Sequence, residues 1–307
     1  MNLSIDDIAK RMNRHRSTIY RELGRNISYG CYMPAIAHAQ AKQRHPKPPS
    51  MLDKNEELNK YVLDGLQQGW TPEQISGRMK NENKKFYVCP ESIYRYIYRN
   101  KNLGLYKLLP SRKPKRCSRF DRKIRDKKPQ ISARNISYRP CEVNDRNQIG
   151  HWEGDTIRFQ KTQKSCVTTL VERKSRFVCL RKNENGKSKT VITHICNLIN
   201  SIPKKMWSSL TLDQGSEFMD FRMIERQTKS KIFFCNSHSP WQRGSNENMN
   251  GRLRRYLPNE FNIDKIDQEE LDKIALRANN TPRKCLGFLT PNEMVLQYWK
   301  GFCRTAL

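Results

Sequence analysis

Three acidic residues stand where carboxylates can meet. Asp155 lies in the run His-Trp-Glu-Gly-Asp-Thr-Ile, Asp213 in Thr-Leu-Asp-Gln-Gly-Ser-Glu-Phe, and Glu247 in Ser-Pro-Trp-Gln-Arg-Gly-Ser-Asn-Glu-Asn. Read locally, these are a strand acid, a strand-end acid and an acid early in a helix. Such a set can converge at the carboxyl edge of a sheet. Three carboxylates together repel, so convergence requires cations, and hard oxygen donors suit Mg2+ or Mn2+. Two such ions ~3.5–4 Å apart clamp the attacking and leaving oxygens of a phosphodiester. Arg243, one turn before Glu247, and Arg254, two turns after it, are placed to hold phosphates. Each acid also has an ordinary reading: a strand-end Asp near Gly is often a turn residue, and a helix Glu is often solvated. Glu153 and Glu217 are rival ligands. Strand alternation puts Glu153 on the same face as Asp155, so position does not exclude it.

The elements that must carry these acids begin near Gly150. His151 to Phe159 reads as a strand, and Ser165–Glu172 with Arg176–Leu180 as a hairpin. Residues 189–202 place Val191, Ile192, Ile195, Cys196, Leu198 and Ile199 at helical spacing. Leu210–Leu212 is a short buried strand, Phe218–Thr228 a helix, Lys231–Cys235 a strand, and Arg243–Leu257 and Gln268–Asn279 helices. The order β-β-β-α-β-α-β-α-α is that of a mixed α/β domain. Leu286 to Trp299, with Leu289, Met294, Leu296 and Trp299, is expected to pack back on it, with an oligomer contact as the alternative.

Upstream, a weak repeat pairs Ser-Ile-Asp-Asp-Ile-Ala-Lys-Arg-Met from Ser4 with Thr-Pro-Glu-Gln-Ile-Ser-Gly-Arg-Met from Thr71. Each starts with an N-cap residue and acids in the first turn. A second short helix follows each, around Ser17–Arg21 and Glu91–Arg95, which makes two helix-turn-helix patterns. A recognition helix offers its N-terminal side chains to base edges. In the first copy these are Arg14, Arg16, Ser17 and Thr18, with Arg21 and Arg25 toward phosphates. In the second, Arg95 and Arg99 stand behind Glu91 and Ser92. Glu56–Gln68 supplies a preceding helix for the second copy. Tyr94, Tyr96 and Tyr98 are candidates for stacking on DNA, with at least one expected to pack inside the module.

Charge supports a polyanionic partner. The 307 residues hold 59 Lys+Arg against 30 Asp+Glu, a formal net charge of +29. Residues 107–140 hold 13 basic residues and only Asp121 and Asp126 as acids, with four prolines and no helical period. This reads as an extended basic linker over 107–145, with Lys113, Lys115 and Arg116 on the DNA backbone. Charged residues break every apolar run before the ~20 residues of a membrane-spanning helix, and the N-terminus lacks a signal-peptide pattern. No two of the ten cysteines form a C-x-x-C pair, so a zinc ribbon is excluded and free thiols in a reducing cytoplasm are expected. Trp152 and Trp241 flank the acids and are candidates either for base stacking or for the core. His151, His194 and His238 are candidate proton shuttles.

The segments His-Trp-Glu-Gly-Asp, Leu-Asp-Gln-Gly-Ser-Glu-Phe and Ser-Pro-Trp-Gln-Arg-Gly-Ser-Asn-Glu-Asn-Met-Asn-Gly-Arg resemble the catalytic core of the IS30 family of bacterial insertion-sequence transposases. The 33 residues between Asp213 and Glu247 match that family's acid triad. The resemblance covers nearly the whole chain. It implies an RNase H-like α/β catalytic domain, a mixed sheet flanked by helices, preceded by all-α helix-turn-helix modules. Residues 1–50 are then a first DNA-binding region, 51–106 a second module, 107–145 the linker and 146–307 the catalytic domain. It also implies metal-dependent cleavage at the element's ends, joining of the 3′-hydroxyls to another strand, and an oligomer working on double-stranded DNA. By position, Asp155, Asp213 and Glu247 become the metal ligands, while Glu153 and Glu217 take supporting roles. Gln214 departs from the family's usual Asn. The family usually carries a further helix ahead of the segment starting at Leu3, so a shortened start or a degraded, inactive element copy, with weakened end recognition, is expected. A DNA-binding repressor and a stand-alone nuclease of the same fold are the rival readings.

Overall fold

A computed structural model of the chain describes residues 3–28, 30–44, 50–114, 134–160, 163–236 and 239–305. They fall into two compact units, residues 1–54 and 55–307.

The first unit is helical. Helices α1 (Ile5–Arg11) and α2 (Arg16–Asn26) form the expected pair. Ser4 caps α1 by accepting the Asp7 amide, and His15 Nδ1 does the same for α2 from Ser17. A two-residue ribbon, β1 (Ile27–Ser28) and β2 (Cys31–Tyr32), leads to α3 (Pro34–Arg44), and α4 (Met51–Lys54) ends the unit. A further helix not read from the sequence, α3, packs on α2. Ala9, Ile19 and Ala37 are buried, and the Arg44 guanidinium donates to the Arg25 carbonyl and the Asn26 side chain.

The second unit opens with α5 (Glu56–Gln67), α6 (Pro72–Asn81) and α7 (Pro90–Arg99). Thr71 and Gln74 form a reciprocal capping box at α6. Leu58, Val62, Leu66, Ile75, Met79, Ile93 and Ile97 are fully buried between the three helices. Each such side chain contributes ~1.5–3 kcal/mol relative to exposure. Within this unit α6 docks on the C-terminal segment. Arg78 makes a two-pronged pair with Glu293 at 2.6 and 2.7 Å, and Gln74 donates to the Pro282 carbonyl at 2.6 Å.

The linker's later part also folds onto the catalytic domain. Asn135 bridges to Phe234 at the sheet edge, Arg134 pairs with Glu225, and the short helix α8 (Glu142–Asp145) follows. Lys113 is exposed, whereas Lys115 and Arg116 lie outside the described residues.

The sheet comprises β3 (His151–Arg158), β4 (Cys166–Glu172), β5 (Val178–Asn183), β6 (Ser209–Leu212) and β7 (Lys231–Phe234) in the order β5-β4-β3-β6-β7. The β5-β4-β3 pairs are antiparallel, and β3-β6 and β6-β7 are parallel. All seven residues of β4 are buried, as a central strand covered on both faces requires. One face packs Trp152, Leu170, Leu210 and Leu212 against α9 (Ser188–Ser201) and α10 (Arg222–Thr228). The other packs Ile157, Val167, Val171 and Leu180 against α11 (Gly244–Leu253) and α12 (Gln268–Asn279).

Three sequence expectations are corrected. The helix expected from Phe218 starts at Arg222, after a 3-10 turn that buries Phe218 and leaves Met219 exposed. The helix expected from Arg243 starts at Gly244, after a 3-10 turn over Pro240–Arg243. In the final helix, α13 (Pro291–Thr305), Leu296 and Trp299 face outward rather than packing back.

Candidate active site

Parallel pairing of β3 with β6 sets the site. Asp155 lies within β3, and Asp213 follows β6 immediately, on the neighbouring strand. The two carboxylates meet on one guanidinium. Arg243 Nη1 lies 3.1 Å from Asp155 Oδ1, and Nη2 lies 2.9 Å from Asp213 Oδ2. Nη1 also donates to the Gly154 carbonyl at 2.8 Å. The 3-10 turn before α11 explains this reach, since residue 243 leaves helical geometry at φ −116° and ψ 41° and turns its side chain inward. Arg243, expected on phosphates, is thus buried between the acids.

Each acid is oriented further. Asp155 accepts from the Thr156 amide and, through Oδ2, from Asn250 Nδ2 at 2.9 Å. Asp213 accepts from the Gly215 amide at 3.1 Å, and a Cβ at residue 215 would lie 2.9 Å from its Oδ1. Burial raises the Asp213 pKa, with the Asp155 charge adding to it and Arg243 opposing. Burial works against the Arg243 charge, but the two aspartates overcome it and hold its pKa up.

Glu247 does not join this pair. It is exposed in the first turn of α11, between Arg243 and Asn250 in sequence. Among the described residues, no group of three His, Cys, Asp or Glu is placed to hold one metal ion.

The rival acids have other partners. Glu153 is fully buried, paired with Arg173 and accepting the Asn246 amide at 2.9 Å. Glu217 accepts from Thr156 Oγ1 at 2.6 Å and faces Arg158 at 3.3 Å.

The expected DNA contacts sort by exposure. Arg14, Arg16, Thr18, Arg21 and Arg25 are exposed on the first unit, while Ser17 is half-buried and bonded to His15 and Arg21. Arg95 and Arg99 are exposed on α7. Arg254 is half-buried, donating to the Arg158 and Leu257 carbonyls and lying over Phe159. Tyr96 is buried against Asn59, and Tyr94 and Tyr98 stack 6.5 Å apart.

Trp152 stacks on Trp207 in the core, whereas Trp241 is 47% exposed. His151 bonds Ser209 and His194 bonds Asn183, so neither reaches the acids, and His238 lies outside the described residues. Among the described residues, eight cysteines are free thiols. Sequence reasoning missed Asn246 and Asn250, although their four-residue spacing puts both on the sheet-facing side of α11.

The sheet order and its flanking helices, behind a helical N-terminal unit, define an RNase H-like catalytic domain with a helix-turn-helix region. A helix-turn-helix domain family matches residues 2–26. Over 303 residues the chain is 36% identical to the transposase InsI of insertion sequence element IS30C from Escherichia coli, covering 95% of this chain and 79% of that one. It is 35% identical to the transposase of element IS1086 from Cupriavidus metallidurans, covering 96% and 90%. A solved structure of the catalytic core domain of BIV integrase aligns with 49% of this chain and 96% of that one, at 20% identity and a TM-score of 0.38. The chain belongs to the IS30 family of transposases. Among the described residues, no helix is long and apolar enough to cross a membrane.

Proposed function

We propose that this transposase cuts DNA strands at the ends of its insertion sequence and joins the freed 3′-hydroxyls to another strand, using Asp155, Asp213 and Glu247. The carrying observation is the meeting of Asp155 and Asp213, from adjacent parallel strands, on the single guanidinium of Arg243.

The donor set fits a hard divalent cation. Two carboxylates share one positive charge, so the pair keeps a net negative charge, which Glu247 would increase. Asn250 Oδ1 is buried beside Asp155 without a hydrogen-bond partner, leaving one more hard oxygen. Asp155, Asp213 and Glu247 would hold Mg2+ or Mn2+, and two such ions when bound stabilise charge on the phosphate oxygens and activate the attacking oxygen. The protein's own part is orientation. The Thr156 amide and Asn250 fix Asp155, the Gly215 amide fixes Asp213, and Arg243 keeps the two carboxylates together against their repulsion.

Delivery of DNA falls to the basic surfaces. Arg14, Arg16, Thr18, Arg21 and Arg25 take the element end, and Arg95 and Arg99 take flanking duplex, with the protein acting as an oligomer that holds both ends.

The test uses Asp155→Asn, Asp213→Asn and Glu247→Gln on a duplex carrying the element end with Mg2+. Each is expected to lower cleavage and strand transfer by at least about 1,000-fold, on the scale of losing a key transition-state group, while end binding in a gel-shift assay stays within about twofold. Wild-type strand transfer by any of the three removes that residue from the assignment.

A further inference from the structure

On the other side of the Pro240–Arg243 turn lies a cavity of about 580 Å³. That volume lies within the ~300–1,000 Å³ range of small-molecule sites. It adjoins the acids: Asn236 lines both this cavity and the one that contains Asp213 and Arg243.

The wall chemistry is specific. Arg139, Arg146 and Arg173 contribute three guanidinium groups, and no carboxylate lines the cavity among the described residues. Arg139 and Arg173 are 8% and 4% exposed, and each keeps a buried Nε–H with no acceptor. Arg173 has one carboxylate partner, Glu153. Arg139 donates only to neutral oxygens, on Thr211 and Asn144. Burial, with Arg173 alongside, pushes the Arg139 pKa down to about 10, as expected for crowded positive charge without enough counter-charge. Trp241 brings an aromatic face that is 47% exposed, which the hydrophobic core does not use. Asn236 and Gln242 bring amides to the same wall. Three guanidinium groups with one carboxylate partner among them, an exposed aromatic face and side-chain amides together match the three parts of a nucleotide: phosphate, base face and base edge.

We propose that this cavity receives one unpaired nucleotide of the DNA strand next to the cleavage position. Trp241 stacks on its base, Asn236 and Gln242 meet its edge, and Arg139, Arg146 and Arg173 draw its phosphate. The inference rests on the reading of Asp155 and Asp213 as the cleavage site, because that reading identifies the neighbouring strand. A base held here is withdrawn from its duplex, and the cavity's contacts offset the stacking and pairing it gives up.

The test is equilibrium binding by the full-length protein in EDTA, where no cleavage occurs. The probes are fluorescent hexathymidylate, a blunt duplex of arbitrary sequence, and free thymidine monophosphate. Trp241→Ala is expected to weaken hexathymidylate binding by about five- to 150-fold, the range for loss of one base–aromatic stack, and to leave duplex binding unchanged. Trp241→Phe restores most of the loss. Arg146→Gln, at an exposed position, lowers the log–log salt slope for hexathymidylate by about 0.7. Unchanged hexathymidylate binding by Trp241→Ala, or an equal loss on duplex, overturns the proposal. Binding of the free mononucleotide as tight as that of the oligonucleotide overturns the strand as its source. Active Asp155→Asn protein would sink the cleavage assignment and leave these binding results standing, so the two failures are distinct.

Discussion

Glu153 and Asp155 sit two residues apart on β3 and both meet α11, yet their surroundings separate them. Glu153 is sealed between Arg173 and the Asn246 amide, with no exposed surface. Asp155 keeps a quarter of its side chain exposed and shares Arg243 with Asp213. Removing one partner of a buried pair leaves the other charge stranded, at a cost of about 3–5 kcal/mol. Glu153→Ala is therefore expected to lower stability by that amount in urea unfolding, with an unchanged m-value. Asp155→Asn is expected to change stability by less than about 1 kcal/mol, since it is a partly exposed pair member that stays polar. Equal losses from the two would remove the distinction between a structural and a catalytic acid. The family resemblance gives Glu153 a supporting role, but the residues read by themselves do not make this distinction. Alternation assigns both residues to one face, and what separates them is Arg173, 20 residues on, and an amide on a helix 93 residues away. Asp213 and Asp155 were legible because strand ends and strand faces are local properties. The inward turn of Arg243 was not, because a 3-10 break before α11 depends on its tertiary partners.

At the level of elements, α6 shows what the sequence signals and what it hides. Thr71, Pro72 and Gln74 announce the helix start, and Ile75 and Met79 its buried side. Nothing local announces that its other side docks on the segment leading into α13. Gly77 marks that contact: a Cβ there would lie 2.2 Å from the Phe288 ring. Gly77→Ala is expected to cost about 1–3 kcal/mol by overpacking, despite the better helix propensity of Ala. Gly24→Ala on α2, where nothing lies within 4 Å, is expected to gain about 0.5–1 kcal/mol. The same contact has a pH signature. The hydrogen bonds from Arg78 hold the Glu293 pKa down to about 2, from an ordinary 4.5. A depressed carboxylate pKa contributes stability that is complete above pH 4.5 and is lost as pH falls toward 2. Because Glu293 is partly exposed, solvent screening holds this contribution to the order of 1 kcal/mol. Amide exchange in α6 should therefore quicken as pH drops through that window, after correction for intrinsic rates, and Glu293→Gln should remove the trend. Helix α3 was illegible for another reason: its Pro-Ala-Ile-Ala-His-Ala-Gln-Ala run buries only Ala37, too little apolar contrast to draw a stripe.

For the whole molecule, the governing quantity is the net charge of +29. Within the structure most of these cations serve one of two ends. Some are spent internally: Arg78 on Glu293, Arg134 on Glu225, Arg243 on the two aspartates, and Arg255 on the Gly69 and Leu108 carbonyls. Others, such as Arg14, Arg16 and Arg25, are exposed on the first unit. Exposed cations exchange counterions for duplex phosphates, so the salt dependence of duplex binding measures them separately from the total charge. Each duplex phosphate neutralised contributes about −0.9 to the slope of log affinity against log salt. Arg21→Gln with Arg25→Gln is expected to make the slope for the element end shallower by about 1.8, with affinity falling alike on specific and arbitrary duplex, because both residues are assigned to the backbone. Lys273→Gln serves as the comparison, because Lys273 is exposed on α12, belongs to the second unit and pairs with Glu269 at 2.8 Å. It removes one positive charge, as each single arginine substitution does, and should leave the slope unchanged. If Lys273→Gln flattens the slope as much as an arginine of α2 does, DNA affinity follows bulk charge, and the first unit loses its assignment as the surface that grips the element end.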